Sequence, residues 1–304
     1  MKTFNSVNFT SSTPTVVALG CFDGVHLGHT ALISRAKEIS TELSLPCIVW
    51  SFDAPPRNFF ISNKIPLITT TAEKRILMQR LGVDFLVSVP FDKKLSEMLP
   101  EEFFSNVLIK RLKASHVVCG FNYRFGKGGV GDHKLLAELC EKHKIRLSVI
   151  PPVEKNGKTV SSSEIRAALS QGRIGEASIL LGRPFFIREK VTNGKRLGRK
   201  LGFPTINQII PAEKDLLKKG VYITRVCFNS KKRYGITNVG TRPTVAGNTL
   251  CAETNIFDFE GDLYGRTVTV EFLHFLREER EFPSVEALTS RVLQDIEYAK
   301  RFIN

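Results

Sequence analysis

The sequence predicts an α/β protein. A parallel α/β domain in the first half is followed by an antiparallel six-stranded β-barrel and a C-terminal helix. Three observations support this prediction. Short apolar runs alternate with helically spaced stretches about five times. After Gly182-Arg183-Pro184, β-rich runs follow one another with turn residues between them. An amphipathic stretch then closes the chain. Strand–helix alternation is typical of a parallel sheet, and consecutive strands are typical of a barrel.

The first half contains five predicted strands separated by helices. Runs of β-branched and apolar residues predict strands at 16–19, 47–52, 85–89, 116–120 and 146–150. Apolar residues three and four apart predict helices at 31–43, 72–81, 101–112 and 134–144. Two short helices are expected within 161–182, and Ser162 or Ser163 can cap the first of them.

The second half contains the predicted barrel. Strand-like runs occupy 185–192, 220–228, 232–240, 251–259 and 266–276, and a helix is predicted over 283–302. The boundary is placed near 183–186, which gives domains 1–184 and 185–304. A chain of 304 residues is long enough for two such domains.

Composition narrows the class of protein. The six cysteines are scattered without a CxxC pair, so buried reduced thiols are expected rather than zinc or disulfides. No apolar run approaches the length of a membrane span, and the first residues lack a signal-peptide pattern. We therefore expect a cytoplasmic protein with no membrane partner. The oligomeric state stays open, with a monomer as one option.

The net charge of +14 indicates polyanionic partners: nucleic acids, acidic membranes or phosphorylated small molecules. The basic residues are spread along the chain, without an arginine-rich arm or a zinc finger. Specific nucleic-acid binding is therefore not expected.

The loop after the first strand, GCFDGVHLGH (20–29), is the first candidate site. Ligands bind at the carboxyl ends of parallel strands, and a helix start favours anions. A zinc pair, a structural turn and a phosphate-binding device are the competing interpretations of His26 and His29. A zinc site needs further ligands at typical spacing, which are not evident. The position in the fold favours phosphate.

This stretch resembles the signature of nucleotidyltransferases that carry an HxGH motif. A second stretch, VSSSEIR (160–166), resembles their ISSTxxR element. The resemblance implies a Rossmann-like domain in which His26 and His29 stabilise charge on the α-phosphate of ATP. It also implies that the serines and the arginine of the second element bind the phosphates: Ser162, Ser163 and Arg166.

Two more stretches, SFDAPPR (51–57) and GFNYRFGKGGVGD (120–132), resemble those of bacterial FAD synthetases. Pro55 stands where a histidine is usual, and Asn122 where an aspartate is usual. The resemblance implies ATP or phosphate binding by Gly20, Phe22, Asp23, Gly28 and Asn122.

A basic, glycine-rich loop within KVTNGKRLGRKLGFPTIN (190–207) is the second candidate site. Gly194 and Gly198 allow such a loop to wrap phosphates. Thr205 and Asn207 are oxygen donors two residues apart, which point the same way on an extended strand and suit Mg²⁺. The alternative is a glycine-rich hairpin with surface charge.

The stretch GRKLGFPTIN resembles the GRxLGFPTAN hallmark of riboflavin kinases, and ETNIFDF (253–259) resembles their ExHIxxF strand. The resemblance implies that Arg199 contacts phosphate and that Glu253 is the base for the ribityl 5′-hydroxyl. Without this resemblance, the sequence would favour the interpretation of Glu253 as a solvated carboxylate on a strand. Asn255 replaces the usual histidine.

Together these stretches resemble the bacterial bifunctional riboflavin kinase/FAD synthetase family. The resemblance implies that the C-terminal domain converts riboflavin and ATP to FMN and ADP, with Mg²⁺. The N-terminal domain would then convert FMN and ATP to FAD and pyrophosphate. The alternatives are that only one activity is retained, a cytidylyltransferase acting on another phosphorylated alcohol, or a flavin-responsive or nucleic-acid-binding module without turnover.

Overall fold

The computed structural model describes residues 1–193, 202–244 and 247–303, and for 243, 244, 247 and 248 it describes the backbone alone. The chain forms two compact units, residues 1–162 and residues 163–304, called here the N-terminal unit and the C-terminal unit. The first contains a parallel sheet and the second a closed antiparallel barrel with a final helix, so the predicted fold class is confirmed.

The N-terminal unit is built on a six-stranded parallel sheet. Its strands are β1 (Lys2–Phe4), β2 (Thr15–Leu19), β3 (Cys47–Phe52), β4 (Phe85–Val89), β5 (Ala114–Gly120) and β6 (Arg146–Ile150). Their order is β1-β4-β3-β2-β5-β6, so the nearly fully buried β2 and β3 lie at the centre. The sequence did not predict β1, because its three residues are too few for a recognisable pattern.

Helices cover this sheet largely where helical spacing predicts them. They are α1 (Leu27–Glu42), α2 (Thr71–Arg80), α3 (Lys93–Glu97), α4 (Pro100–Phe103) and α5 (His133–Lys142). The predicted helix 101–112 is different, because α4 continues as a π-helix over Phe104–Arg111. Phe103 and Phe104, at the junction of the two segments, both pack into the core, where they are 5% and 0% exposed.

Two short helices, α6 (Ser162–Ser170) and α7 (Ile174–Leu181), stand at the start of the C-terminal unit. Ser162, the first residue of α6, is the last residue of the N-terminal unit. A small hairpin, β7 (Glu154–Lys155) and β8 (Lys158–Thr159), precedes them. The barrel strands are β9 (Phe185–Thr192), β10 (Thr205–Ile209), β11 (Gly220–Phe228), β12 (Lys231–Thr244), β13 (Gly247–Ile256) and β14 (Thr267–Arg277). They close in the order β10-β13-β12-β11-β14-β9.

The final helix, α8 (Val285–Ile303), packs on the barrel through an apolar face and one buried charge. Ala299 joins a buried cluster that includes Val221 and Ile223 of β11. Asp295 is 2% exposed and forms ion pairs with Arg277 at 2.7 Å and with Arg291 at 3.0 Å. These contacts fix α8 beside the strands that carry the second candidate site.

Candidate active sites

The HxGH stretch forms the turn between β2 and α1. His26 is the N-cap of α1, and its Nδ1 atom accepts a hydrogen bond from the His29 N–H at 3.3 Å. Nδ1 therefore carries a lone pair, and neutral His26 has its proton on Nε2. The two imidazole rings stack with centroids 3.6 Å apart. The pair is thus presented at the start of a sixteen-residue helix, where anions are favoured.

Two glycines allow the close packing of this turn. A Cβ atom on Gly28 would lie 3.2 Å from Cε1 and 3.3 Å from Nδ1 of His26. A Cβ atom on Gly20 would lie 2.8 Å from the ring of Phe22, which is fully buried. The ring of Phe22 in turn meets His29 edge-on, at 5.2 Å between centroids. The predicted residues Gly20, Phe22 and Gly28 therefore shape the turn around the histidines.

Asp23 anchors the turn to the segment before α2. It is 3% exposed, and its carboxylate accepts the N–H groups of Ile68 and Thr69, both at 3.0 Å. The main-chain oxygen of Asp23 accepts a hydrogen bond from the hydroxyl of Ser162 at 2.9 Å. The resemblance implied phosphate binding for Asp23, and these contacts give its carboxylate a structural role.

His29 is held in its neutral form. Burial, then the charge of His26, then that of Lys74 lower the pKa of His29 well below its usual value. Its Nδ1 atom is buried and has no hydrogen-bond partner among the residues that the structure describes. Below the pKa this site would hold two adjacent positive rings, which their mutual repulsion disfavours. The structure therefore favours the neutral form of His29 over its charged form.

The remaining predicted residues of this site lie on other elements. Asn122 is exposed and follows β5, which pairs directly with β2 in the sheet. It therefore stands at the same sheet edge as the HxGH turn. Ser163 and Arg166 lie on α6, in the C-terminal unit.

In the barrel, register brings the candidate catalytic residues together. Asn207 of β10 lies opposite Glu253 of β13, and Thr205 lies opposite Asn255. Directly opposed residues on neighbouring strands have side chains on the same face and in contact range. The oxygen donors Thr205 and Asn207 therefore share one face with the candidate base.

Arg242 of β12 is a residue of this site that the sequence reasoning missed. Its Nη2 atom donates to Asn207 Oδ1 at 2.9 Å and forms a close ion pair with Glu253 Oε1. The available signal was a basic residue in the stretch NVGTRPT (238–244), which lies shortly before ETNIFDF in the chain.

Asn255, which stands where the family usually has histidine, supports the turn before β10. Its Nδ2 atom donates to the carbonyl oxygen of Pro204 at 2.9 Å, and the residue is 9% exposed. The amide of Asn255 thus fixes the Phe-Pro-Thr turn. Asparagine in place of histidine therefore still makes a structural hydrogen bond at this position.

Two cavities lie on the two sides of β13. One has a volume of about 360 Å³, and Glu253 and Asn255 line it together with apolar side chains of β11, β12 and α8. The other has a volume of about 200 Å³, and Thr254, Ile256 and the segment 259–264 line it. Thr205 borders both cavities. Strand alternation explains this division, since odd and even residues of β13 face opposite sides.

The donor set at β10 fits Mg²⁺. Thr205 and Asn207 offer neutral oxygen atoms beside the carboxylate of Glu253, and Mg²⁺ takes a few such oxygen ligands together with water. The three predicted phosphate-binding residues of the preceding loop lie outside the described residues: Gly194, Gly198 and Arg199.

Comparisons with known proteins assign a family to each half of the chain. The family model described as FAD synthetase matches residues 8–164, and the one described as riboflavin kinase matches residues 181–303. A bifunctional riboflavin kinase/FMN adenylyltransferase of Pseudomonas fluorescens is 36% identical over 94% of this chain and 92% of its own. The chain belongs to this family. It is a riboflavin kinase and an FMN adenylyltransferase, and both activities use ATP.

Further relatives cover the chain as completely. The bifunctional riboflavin kinase/FMN adenylyltransferase of Escherichia coli (strain K12) is 33% identical over 99% of this chain and 98% of its own. A crystal structure from Streptococcus pneumoniae, described as a macrolide-efflux protein, superposes with a TM-score of 0.89 at 31% identity and covers 99% of both chains. In the part of the present chain that the structure describes, no helix has the length and apolarity to cross a membrane.

Proposed function

We propose that FMN adenylylation takes place at the HxGH turn. An oxygen of the FMN phosphate attacks the α-phosphorus of ATP, and the bond to the bridging oxygen breaks to release pyrophosphate. His26 and neutral His29 donate hydrogen bonds to the α-phosphate as charge builds on it. Ser163 and Arg166 bind the phosphates of ATP. The stacked rings at the N-terminus of α1 support this assignment.

In the barrel, Glu253 is the general base of riboflavin phosphorylation. Its carboxylate accepts the proton of the 5′-hydroxyl while that oxygen attacks the γ-phosphorus and ADP leaves. Thr205 and Asn207 would hold Mg²⁺, which neutralises phosphate charge when bound. Arg242 contacts both Asn207 and Glu253 and so orients the proposed base beside the proposed metal ligands.

The two cavities around β13 are the observation that supports this assignment most strongly. The larger cavity is lined by polar and charged side chains, Glu253 among them, and by apolar side chains such as Val221 and Ile236, and the apolar part suits a flat flavin ring. The smaller cavity takes the nucleotide. Because Thr205 borders both, the hydroxyl and the phosphate meet beside the predicted metal ligands.

Reciprocal variants test the division of labour. His26→Ala abolishes FAD formation from FMN and ATP while FMN formation from riboflavin continues. Glu253→Gln lowers FMN formation about 1,000-fold, since a general base contributes 10²- to 10⁴-fold, while added FMN is still converted to FAD. Flavins are separated by chromatography. Loss of both products in either variant, with the fold intact, would refute the assignment.

The finer features of the proposal follow from these sites. The boundary between the catalytic domains lies at 184/185, just before β9 begins at Phe185. The partners are small molecules: riboflavin, FMN, FAD, ATP, ADP and pyrophosphate. These ligands are mostly polyanions, which accounts in part for the net charge of +14 without nucleic acid or membrane partners. Such cofactor synthesis takes place in the cytoplasm.

A further inference from the structure

Lys74 is a buried lysine at the edge of the HxGH turn. It lies in the first turn of α2 and is 1% exposed. Its ammonium donates to the carbonyl oxygens of Cys21 at 3.0 Å and Phe52 at 2.6 Å, and contacts the Ser51 hydroxyl at 3.3 Å. The three donors of the ammonium thus meet three neutral oxygens.

This arrangement costs free energy in the isolated protein. A buried ammonium loses its hydration, and neutral acceptors restore only part of it. Lysine is almost never fully buried without a charged partner. The adjacent carboxylate, Glu73, is used at the N-terminus of α2, where it accepts the Thr70 N–H at 2.9 Å. A neutral side chain of similar length would fill the same space at lower cost.

The acceptors of Lys74 belong to the two segments that form the site edge. Cys21 lies in the turn after β2, between Gly20 and Phe22, and Phe52 is the last residue of β3. These strands are neighbours at the centre of the sheet. The ammonium therefore ties the start of the HxGH turn to the end of β3, at the edge where α/β proteins bind ligands.

The charge of Lys74 also affects the protonation of His29 in the histidine pair. His26 and Lys74 are the charged groups that influence His29, and both lower its pKa after the effect of burial. In a dry environment such a charge is weakly screened. The positive charge of Lys74 therefore adds to the attraction for phosphate while it disfavours protonation of His29.

We propose that Lys74 is a positioning residue for FMN adenylylation: its ammonium holds the HxGH turn against β3 and provides a permanent positive charge behind His26 and His29. This inference rests on the proposed adenylyl-transfer site. The charge balances that of the incoming phosphates, which explains why the fold retains a buried ammonium whose hydrogen bonds, among the described residues, go to neutral oxygens.

The decisive variant is Lys74→Met, which keeps most of the side-chain volume and removes the charge. We expect kcat for FAD formation from FMN to fall about 10- to 100-fold, the usual effect of removing a supporting partner of a reactive group. FMN formation from riboflavin, measured on the same sample, stays unchanged. The pKa of His29, followed by NMR of its Cε1–H resonance, rises because one of the charges that lowers it is gone.

The matched control is Lys37→Met. Lys37 lies on α1 in the same unit and pairs with Asp84 at 2.9 Å, with its side chain 34% exposed. This variant changes the net charge equally, and both activities and the His29 resonance should stay as in the wild type. A comparable loss of FAD formation in Lys37→Met would attribute the effect to net charge and overturn the proposal.

The fluorescence of Trp50, the single tryptophan, shows whether Lys74→Met still folds in this unit. If it does not fold, a second pair of variants tests the proposal. Lys74→Arg keeps the charge and should retain at least tenfold more FAD formation than Lys74→Gln. Equal activity of these two variants would overturn the proposal, as would FAD formation by Lys74→Met within twofold of wild type. Full FAD formation by His26→Ala would instead refute the proposed site itself.

Discussion

The two proposed active sites of this chain position their side chains in different ways. The adenylyl-transfer site is carried by a turn between β2 and α1, and the kinase site by the faces of paired strands. The turn is held by buried charged side chains, Asp23 and Lys74, that bind main-chain groups of neighbouring segments. The kinase site needs no such anchor, because the β10–β13 ladder already places Asn207 opposite Glu253.

This difference has a physical reason. A turn lacks the repeating hydrogen bonds of a ladder, so its main-chain groups need side-chain partners from elsewhere. Charged partners make the strongest of these bonds, at the cost of burying the charge. Strand pairing fixes side-chain positions directly, which leaves Arg242 and Glu253 partly exposed and able to separate. We therefore expect the adenylyl-transfer site to be the more sensitive to substitutions away from its reactive groups.

The largest effect is expected from Asp23→Ala. The change removes the acceptor of two buried N–H groups, and we expect the free energy of unfolding of the N-terminal unit to fall by about 3 kcal/mol. Denaturant unfolding followed by Trp50 fluorescence measures this. Asp23→Asn, which keeps one acceptor oxygen, should lose less. A loss below about 0.5 kcal/mol for Asp23→Ala would show that the turn needs no charged anchor.

The second largest effect is expected from Thr237→Val in the interior of the barrel. The Thr237 hydroxyl lies 2.8 Å from both the Thr224 and Thr254 hydroxyls, and all three residues are fully buried. Thr237→Val breaks this chain and should destabilise the barrel by about 2 kcal/mol. The half-life of riboflavin kinase activity on heating and hydrogen exchange of β12 report the change.

Thr237→Ser separates the two contributions, because it keeps the hydroxyl and loses only a methyl group. We expect a loss of about 1 kcal/mol. An equal loss in the two variants would show that packing, rather than the hydroxyl chain, stabilises the barrel interior.

A smaller effect is expected from Gly28→Ala. The new methyl group would press on the His26 ring at 3.2 Å and shift it by a few tenths of an ångström. We expect kcat for FAD formation to fall about tenfold, or about 1.4 kcal/mol, without change in FMN formation. Gly175→Ala in α7 is the control, since its Cβ meets nothing within 4 Å. Unchanged FAD formation in Gly28→Ala would mean that the ring stacking is not required.

The smallest effect is a difference in acid sensitivity. Burial is the first cause that lowers the pKa of both His29 and His116, so the fold favours their neutral forms. Their contribution to stability is complete above pH about 6.5 and is lost as the pH falls below it, by at most about 1.4 kcal/mol per histidine and pH unit. Denaturant unfolding followed by Trp50 fluorescence at pH 7.5 and pH 5.5 measures this loss.

His116→Gln removes one titrating group and should reduce this acid sensitivity. The ring of His116 lies 2.9 Å from the Ser148 hydroxyl, and glutamine can keep a hydrogen bond there. An unchanged pH dependence in this variant would contradict the assignment for His116.

Much of the fold follows from local sequence patterns. Strand 185–192 was predicted with the same bounds as β9. A β-rich run between a proline and a polar loop favours a strand over any other element. The π-helix after α4 was not predicted, since the apolar spacing over 101–112 indicates a helix without showing which residue each N–H bonds to.

The sequence by itself determined the family, the fold class and the order of the two domains, and it supplied the candidate residues: two histidines at a helix start and oxygen donors two apart on a strand. The tertiary structure alone decided which other residues support these candidates. Lys74 reaches the HxGH turn from α2, and Arg242 reaches Asn207 and Glu253 from a neighbouring strand. These contacts join residues far apart in the chain, and local propensity and spacing carry no information about such pairs.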